Sequence, residues 1–277
     1  MANFDFDVVV KIGSMALIRK KDNDLDYNIF ARLARELKPG YILVSSGATE
    51  IGRIDYMQRN GGVELKGDLN SIKASYAAQG QPILMELYRR FVKPRYSVRQ
   101  MLIEHSHFNN PQKVEHIKEL LFSAANQNAI PIINYNDAVS DTENMKLELM
   151  DLKEQSDEVV ECIDNDETAA VITRLVNAKL LVILSSIDGI YMDINDPSTI
   201  IETVTGKTYE EVEMQIDEMM KSCEGASRIG ANGAAAKLKY AKEALKGGTT
   251  VIIANAKNSL QDIIAGKVKR TYLRVGK

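Results

Sequence analysis

Residues 8–10 are three consecutive valines, and the run stops at Lys11-Ile12-Gly13-Ser14. An unbroken run of β-branched residues closed by glycine fits a strand buried on both faces, not one with a wet face. The device returns along the chain. Residues 41–44 are apolar and end in Ser45-Ser46-Gly47-Ala48. Ile130-Pro131-Ile132-Ile133 opens into Asn134-Tyr135-Asn136-Asp137, and residues 180–184 end in Ser185-Ser186-Ile187-Asp188-Gly189. Helical periods lie between these runs. Leu25, Ile29, Leu33 and Leu37 recur every four residues, with Asp24 as the expected N-cap and Pro39-Gly40 as the stop.

Further helices are expected at 73–93, 112–128, from about Asp166, and at 234–246. Strands are expected at 97–103 and 249–254, and an edge strand at 271–275. Thr208 and Glu211 have capping-box spacing, in which each side chain satisfies a free amide of the helix start. Strand–helix alternation of this kind specifies an α/β protein with a mainly parallel sheet covered on both faces. One domain over 1–277 is expected, with lobes of about 1–175 and 176–277.

Charge and composition narrow the classes. The 277 residues carry 35 basic and 38 acidic side chains and are 45% hydrophobic, so the chain can bury a core. A formal charge of −3 gives no support to broad nucleic-acid binding. No apolar stretch approaches the ~20 residues that span a bilayer. The N-terminus MANFDFDVVVKIGS lacks the layout of a secretory signal, so no membrane partner and a cytoplasmic location are expected. His105, His107 and His116 have no metal-ligand spacing, and no protein metal site is expected.

In open α/β sheets ligands bind at the carboxyl ends of the strands, where this sequence gathers its polar residues. Lys11 is the sharpest of them. It either snorkels to the surface at its strand end or meets an anion, since a buried ammonium is costly alone. A second anion site is suggested by the glycine-rich stretch 225–233, which runs into a helix containing Lys237. Asp164-Asn165-Asp166 either caps a helix, or its carboxylates orient lysines or sit near a nucleotide-bound magnesium. Residues 141–163 hold eight acidic residues against two lysines, a charge run expected to face solvent.

Together the motifs resemble the amino acid kinase family. The resemblance is carried by VVVKIGS at 8–14, ILVSSGA at 42–48 and YAAQGQPILMELY at 76–88. It continues with IPIINYND at 130–137, DNDETAA at 164–170, LLVILSSIDGIY at 180–191 and GANGAAAKLKYAKEALKGGTTVIIAN at 230–255. It implies an open three-layer αβα sandwich that uses ATP with Mg2+. The similarity is greatest to members that phosphorylate the side-chain carboxylate of glutamate. Another carboxylate or phosphate acceptor, or a nucleotide or amino-acid sensor without turnover, are the alternatives.

By the resemblance, Lys11 and Lys237 contact the transferring phosphate, and Asp164 and Asp166 position the lysines. Ser46, Gly47, Ala48, Asn134, Asp137 and Asn165 hold the amino acid. Lys11, Gly13, Ser185, Ser186, Asp188, Gly230, Gly233 and Lys237 lie along the nucleotide. GANGAAAK stands where the family usually reads GTGGMxTK, and Ser185-Ser186 where it usually has Thr-Asp. The resemblance also implies self-association into dimers or tetramers, and no RNA-binding PUA domain is expected. Lys11→Ala is expected to cut phosphoryl transfer by orders of magnitude with the fold intact.

Overall fold

The computed structural model describes residues 4–19, 21–140, 142–155, 159–162, 164–193, 195–224 and 231–276, with the side chains of 142–144, 222–224 and 231–232 outside the description. Its strands are β1 (Phe6–Ile12), β2 (Ile18–Arg19), β3 (Asp24–Leu25), β4 (Tyr41–Ser45), β5 (Ser97–Ile103) and β6 (Ala129–Tyr135). They continue as β7 (Ala178–Ser185), β8 (Ile190–Tyr191), β9 (Ile200–Ile201), β10 (Thr203–Gly206), β11 (Thr250–Asn255) and β12 (Arg270–Val275). The helices are α1 (Tyr27–Glu36), α2 (Ala48–Arg59), α3 (Leu69–Phe91), α4 (His105–Phe108) and α5 (Pro111–Asn126). After them come α6 (Thr142–Gln155), α7 (Asn165–Leu175), α8 (Tyr209–Glu224), α9 (Ala231–Lys246) and α10 (Leu260–Ala265).

Eight strands form one sheet in the order β10-β12-β11-β7-β1-β4-β6-β5, with helices around it. The β1–β7, β7–β11, β5–β6 and β10–β12 pairs are parallel, and β11–β12 is antiparallel. This is the α/β class that the alternation specifies. The valine run is the reason. Along β1, β6 and β7 nearly every side chain is buried, which leaves no wet face and requires cover on both sides.

The chain divides into two compact units. Unit 1 is Met1–Ala16, Gly40–Val44 and Asp166–Lys277. Its core is built on β1, β7 and β11, with Val9, Val10, Leu181, Val182 and Ile253 fully enclosed. Unit 2 is Leu17–Pro39 and Ser45–Asn165. Its tightest packing is between α2 and α3. A Cβ built on Gly52 would lie 1.8 Å from the Tyr76 carbonyl oxygen, and one on Gly80 would lie 1.8 Å from that of Ala48. Glycine at both positions lets the two backbones touch.

Three local expectations change. The N-cap of α1 is Asp26, whose carboxylate accepts from the amides of Asn28 (3.1 Å) and Ile29 (3.3 Å). Asp24 lies in β3, two residues before that cap, and its carboxylate accepts instead from the Leu25 amide and the Arg19 guanidinium. The strand expected at the edge, β12, is flanked on both sides, because β10 lies beyond it. Thr208 accepts from the Glu211 amide, but the Glu211 carboxylate reaches the Lys207 amide at 2.7 Å, one residue short of a reciprocal box. Helices α2 and α6 were not foreseen, and α6 occupies most of the acidic run.

Candidate functional site

Within unit 2 the polar residues at the ends of β4 and β6 meet the start of α7. Asn134 is buried at the end of β6. The Tyr135 backbone amide donates to its side-chain oxygen at 2.9 Å. A backbone N–H can only donate, so this bond fixes which end of the Asn134 carboxamide is oxygen. The nitrogen end then donates to the Gln81 side-chain oxygen at 2.9 Å, from a residue 53 positions earlier in the chain. The Asn165 side-chain nitrogen donates to the Asn134 oxygen and to the Ser46 hydroxyl oxygen, each at 3.0 Å.

The polarity of this chain has a consequence. Asn165 has spent its nitrogen, so its carboxamide oxygen points away, and that oxygen is buried with no hydrogen-bond partner among the described residues. Ser46 accepts from Asn165, so its own O–H proton remains available to an acceptor. Next to Ser46, Gly47 is the N-cap of α2 with φ +109°, a value that favours glycine, and no side chain caps the helix. The first amides of α2 are therefore left without a side-chain cap, the kind of helix end that suits an anion. Ala48 is the first, buried residue of that helix. Unit 2 thus offers a cation acceptor and anion donors.

Asp137 follows β6 and is partly buried. Burial pushes its carboxyl above the ordinary carboxylate range, and the Lys73 ammonium opposes the shift. A raised folded-state value means that the folded protein holds this proton more tightly than the unfolded chain. The associated stability is present below the ordinary carboxylate range and is lost as pH rises through the folded value. Asp137→Asn should therefore be more heat-stable than wild type at neutral pH, with the gap closing as pH falls toward 4. Thermal midpoints measured against pH check this, and a gap that does not narrow contradicts it.

In unit 1, Lys11 does not snorkel. It is 5% exposed, and its Nζ lies 2.9 Å from Oδ1 of Asp166, which is 9% exposed. Strand β1 places the lysine, and the first turn of α7 places the carboxylate. Gly13 follows with its amide bonded to the Leu184 carbonyl at 3.2 Å, so that amide is spent inside the sheet. A Cβ there would sit 3.7 Å from the Lys11 ammonium nitrogen. Asp164 is half-buried, two residues before Asp166. On α9 the Lys237 ammonium donates to the Gly233 carbonyl at 3.0 Å, which folds it over the first turn of its own helix. Gly230 lies outside the described residues.

At the end of β7, Ser185 is buried, and its hydroxyl oxygen accepts from the Ile187 amide at 3.2 Å. Ser186 is exposed, and its carbonyl accepts from the Asn255 side chain at 3.2 Å. Asn255 also donates to Asp188 at 3.0 Å, and the Lys257 ammonium lies 3.2 Å from the same carboxylate. Burial and this carboxylate push the Tyr191 phenol up. Gln81, Lys73, Asn255 and Lys257 were not singled out in the sequence. For Asn255 the signal was present, since it ends a parallel strand.

Among the described residues no group of three or more His, Cys, Asp and Glu side chains could hold a metal ion. Mg2+ does not need one, because it keeps waters and phosphate oxygens as most of its ligands. Lys11 and Lys237 are of the chemistry that suits phosphate oxygens.

The fold and these strand-end clusters define a doubly covered α/β protein equipped for small charged ligands. Residues 8–255 match the model of the amino acid kinase family, and the chain belongs to that family. It is 32% identical over 286 residues to a glutamate 5-kinase of Alkaliphilus metalliredigens, covering 98% of this chain and 96% of the relative. A glutamate 5-kinase of Geobacillus thermodenitrificans is 31% identical over 97% of this chain, which spans 67% of that relative. Among solved structures, carbamate kinase from Giardia lamblia bound to AMP-PNP superposes with a TM-score of 0.60 at 16% identity, covering 99% of this chain and all of the other. UMP kinase from Ureaplasma parvum gives 0.53 at 13% identity, covering 97% and 98%. Both show the fold.

Proposed function

We propose that the protein transfers the γ-phosphoryl group of ATP to the side-chain carboxylate of L-glutamate, giving the acyl phosphate that begins proline synthesis. Family membership makes it an ATP-dependent kinase with a carboxyl-group acceptor. The observation that carries the glutamate assignment is the polarity of the unit 2 cluster. The Asn165 carboxamide oxygen, with no partner among the described residues, complements an ammonium. The Ser46 hydroxyl and the uncapped start of α2 complement a carboxylate. An α-amino acid carries both groups, and a buried acceptor left unpaired costs about 1–3 kcal/mol that such a ligand recovers. The full-length similarity to proteins named glutamate 5-kinase agrees.

ATP with Mg2+ supplies the phosphoryl group and part of the charge neutralisation. The chain's residues do the rest. Ser46, Gly47, Ala48, Asn134, Asp137 and Asn165 hold the amino acid. Its side-chain carboxylate is ionised at pH 7, so no general base is required. One carboxylate oxygen forms the new bond to phosphorus as the bond to the leaving oxygen breaks and ADP keeps the electron pair. Lys11, held by Asp166, and Lys237 neutralise the oxygens of the transferring group. Asp164 supports the lysines. Gly13, Ser185, Ser186, Asp188, Gly230 and Gly233 lie along the nucleotide.

No helix among the described residues is long and apolar enough to cross a membrane. A cytoplasmic placement is part of the proposal. Self-association into dimers or tetramers is part of the proposal. Coupled ADP release over a panel of glutamate, aspartate, N-acetylglutamate, carbamate and UMP tests the function. Turnover with glutamate is expected. Turnover confined to another acceptor would replace glutamate in this reading, and binding without turnover would make the protein a sensor.

A further inference from the structure

We propose that Gln81 is a positioning residue for the acceptor amino acid, and that it sets the preference for glutamate over the same diacid without an amino group. The proposal rests on the glutamate reading above. Gln81 lies on α3, immediately after Gly80, whose missing side chain lets α2 and α3 approach. It is 9% exposed, and its side-chain nitrogen is buried with no hydrogen-bond partner among the described residues. A buried unpaired donor is costly. Methionine, of similar length, would avoid that cost if filling space were the only demand here. The oxygen end explains the glutamine, because it accepts the nitrogen of Asn134.

That bond completes a two-point hold. The Tyr135 amide fixes the oxygen end of the Asn134 carboxamide, and Gln81 fixes the nitrogen end. With both ends held, Asn134 presents its oxygen steadily to the nitrogen of Asn165. Asn165 is thereby kept with its own oxygen free for an ammonium. Loss of the Gln81 oxygen leaves a buried donor on Asn134 and releases one end of the hold. The carboxamide of Asn165 is then no longer confined to the orientation that accepts a cation. The hydrogen bond that Gln81 makes among the described residues runs to Asn134, so its effect falls on the amino group.

The test compares wild type, Gln81→Met and Gln81→Glu with glutamate and with glutarate as acceptors. The Met variant keeps the volume and removes the acceptor oxygen. Its preference for glutamate over glutarate should fall about tenfold, the equivalent of one hydrogen bond to a charged group, mainly through KM for glutamate. KM for ATP and kcat should change little. The Glu variant keeps an acceptor toward Asn134 and should restore most of the preference. A packing role predicts the opposite order, with Met tolerated and Glu harmful. An unchanged preference in Gln81→Met, or equal losses for ATP and glutamate, overturns the proposal. If Gln81→Met does not fold, Gln81→Glu decides alone, by keeping or losing the preference. If wild type shows no turnover of glutamate, the glutamate reading itself fails, whatever the variants do.

Discussion

Lys11→Ala is expected to lower phosphoryl transfer by roughly a hundredfold to a thousandfold or more, the range for removing one preorganised group that neutralises transition-state charge. The buried pair with Asp166 adds a second effect. Both partners are more than nine-tenths enclosed, so solvent screens the interaction little. Removing the lysine takes the ion-pair partner from a buried carboxylate, at a cost of about 3–5 kcal/mol. The sequence-based expectation of an intact fold therefore changes to one of a weakened fold. A double variant separates the effects. Lys11→Met combined with Asp166→Leu removes both charges and should recover most of the stability, since replacing a buried pair by apolar groups is often neutral. Its transfer rate should stay as low as that of the single variant. Denaturant unfolding and ADP release measured on both proteins check the account. A single variant with the wild-type rate would remove Lys11 from the chemistry.

Gly80→Ala should be the most damaging change of a single methyl group. The added Cβ would lie 1.8 Å from the Ala48 carbonyl oxygen and 2.5 Å from the Gly52 amide nitrogen. Both are backbone atoms of α2 and cannot rotate aside. The helices must separate, and overpacking of a well-packed contact costs about 1–3 kcal/mol, occasionally more. The damage should reach the ligand cluster. Helix α2 begins directly after Ser46-Gly47, and Gln81 is the next residue on α3. Weaker binding of the acceptor should accompany the lower unfolding midpoint, while ATP binding changes less. A midpoint equal to that of wild type would contradict the close crossing of α2 and α3.

The sheet was legible because parallel strands covered on both faces have a distinctive composition. Three valines in a row at 8–10 and the apolar run at 180–184 leave few alternatives. Strand ends were legible for the same reason, since glycine, serine and asparagine interrupt such runs abruptly. Lys11 stood out because nothing in a buried strand explains an ammonium. Gln81 did not stand out. It sits within a helical pattern, and its partner Asn134 is 53 residues away, so local periodicity carries no trace of the bond. The edge strand β10 is four residues long, too short for an alternation to register. Asp24 and Asp26 are equally plausible caps by composition, and the bonds of the Asp24 carboxylate to the Leu25 amide and Arg19 decide between them.

The central claim is that an amino acid's side-chain carboxylate accepts the phosphoryl group. The most direct measurement is trapping with hydroxylamine in the presence of glutamate, ATP and Mg2+. An acyl phosphate on the side chain is captured as the γ-hydroxamate, at a rate matching ADP release. Formation of that hydroxamate, dependent on glutamate and greatly reduced in Lys11→Ala, is the predicted result. ADP release without hydroxamate, or with a different acceptor required, would contradict the assignment.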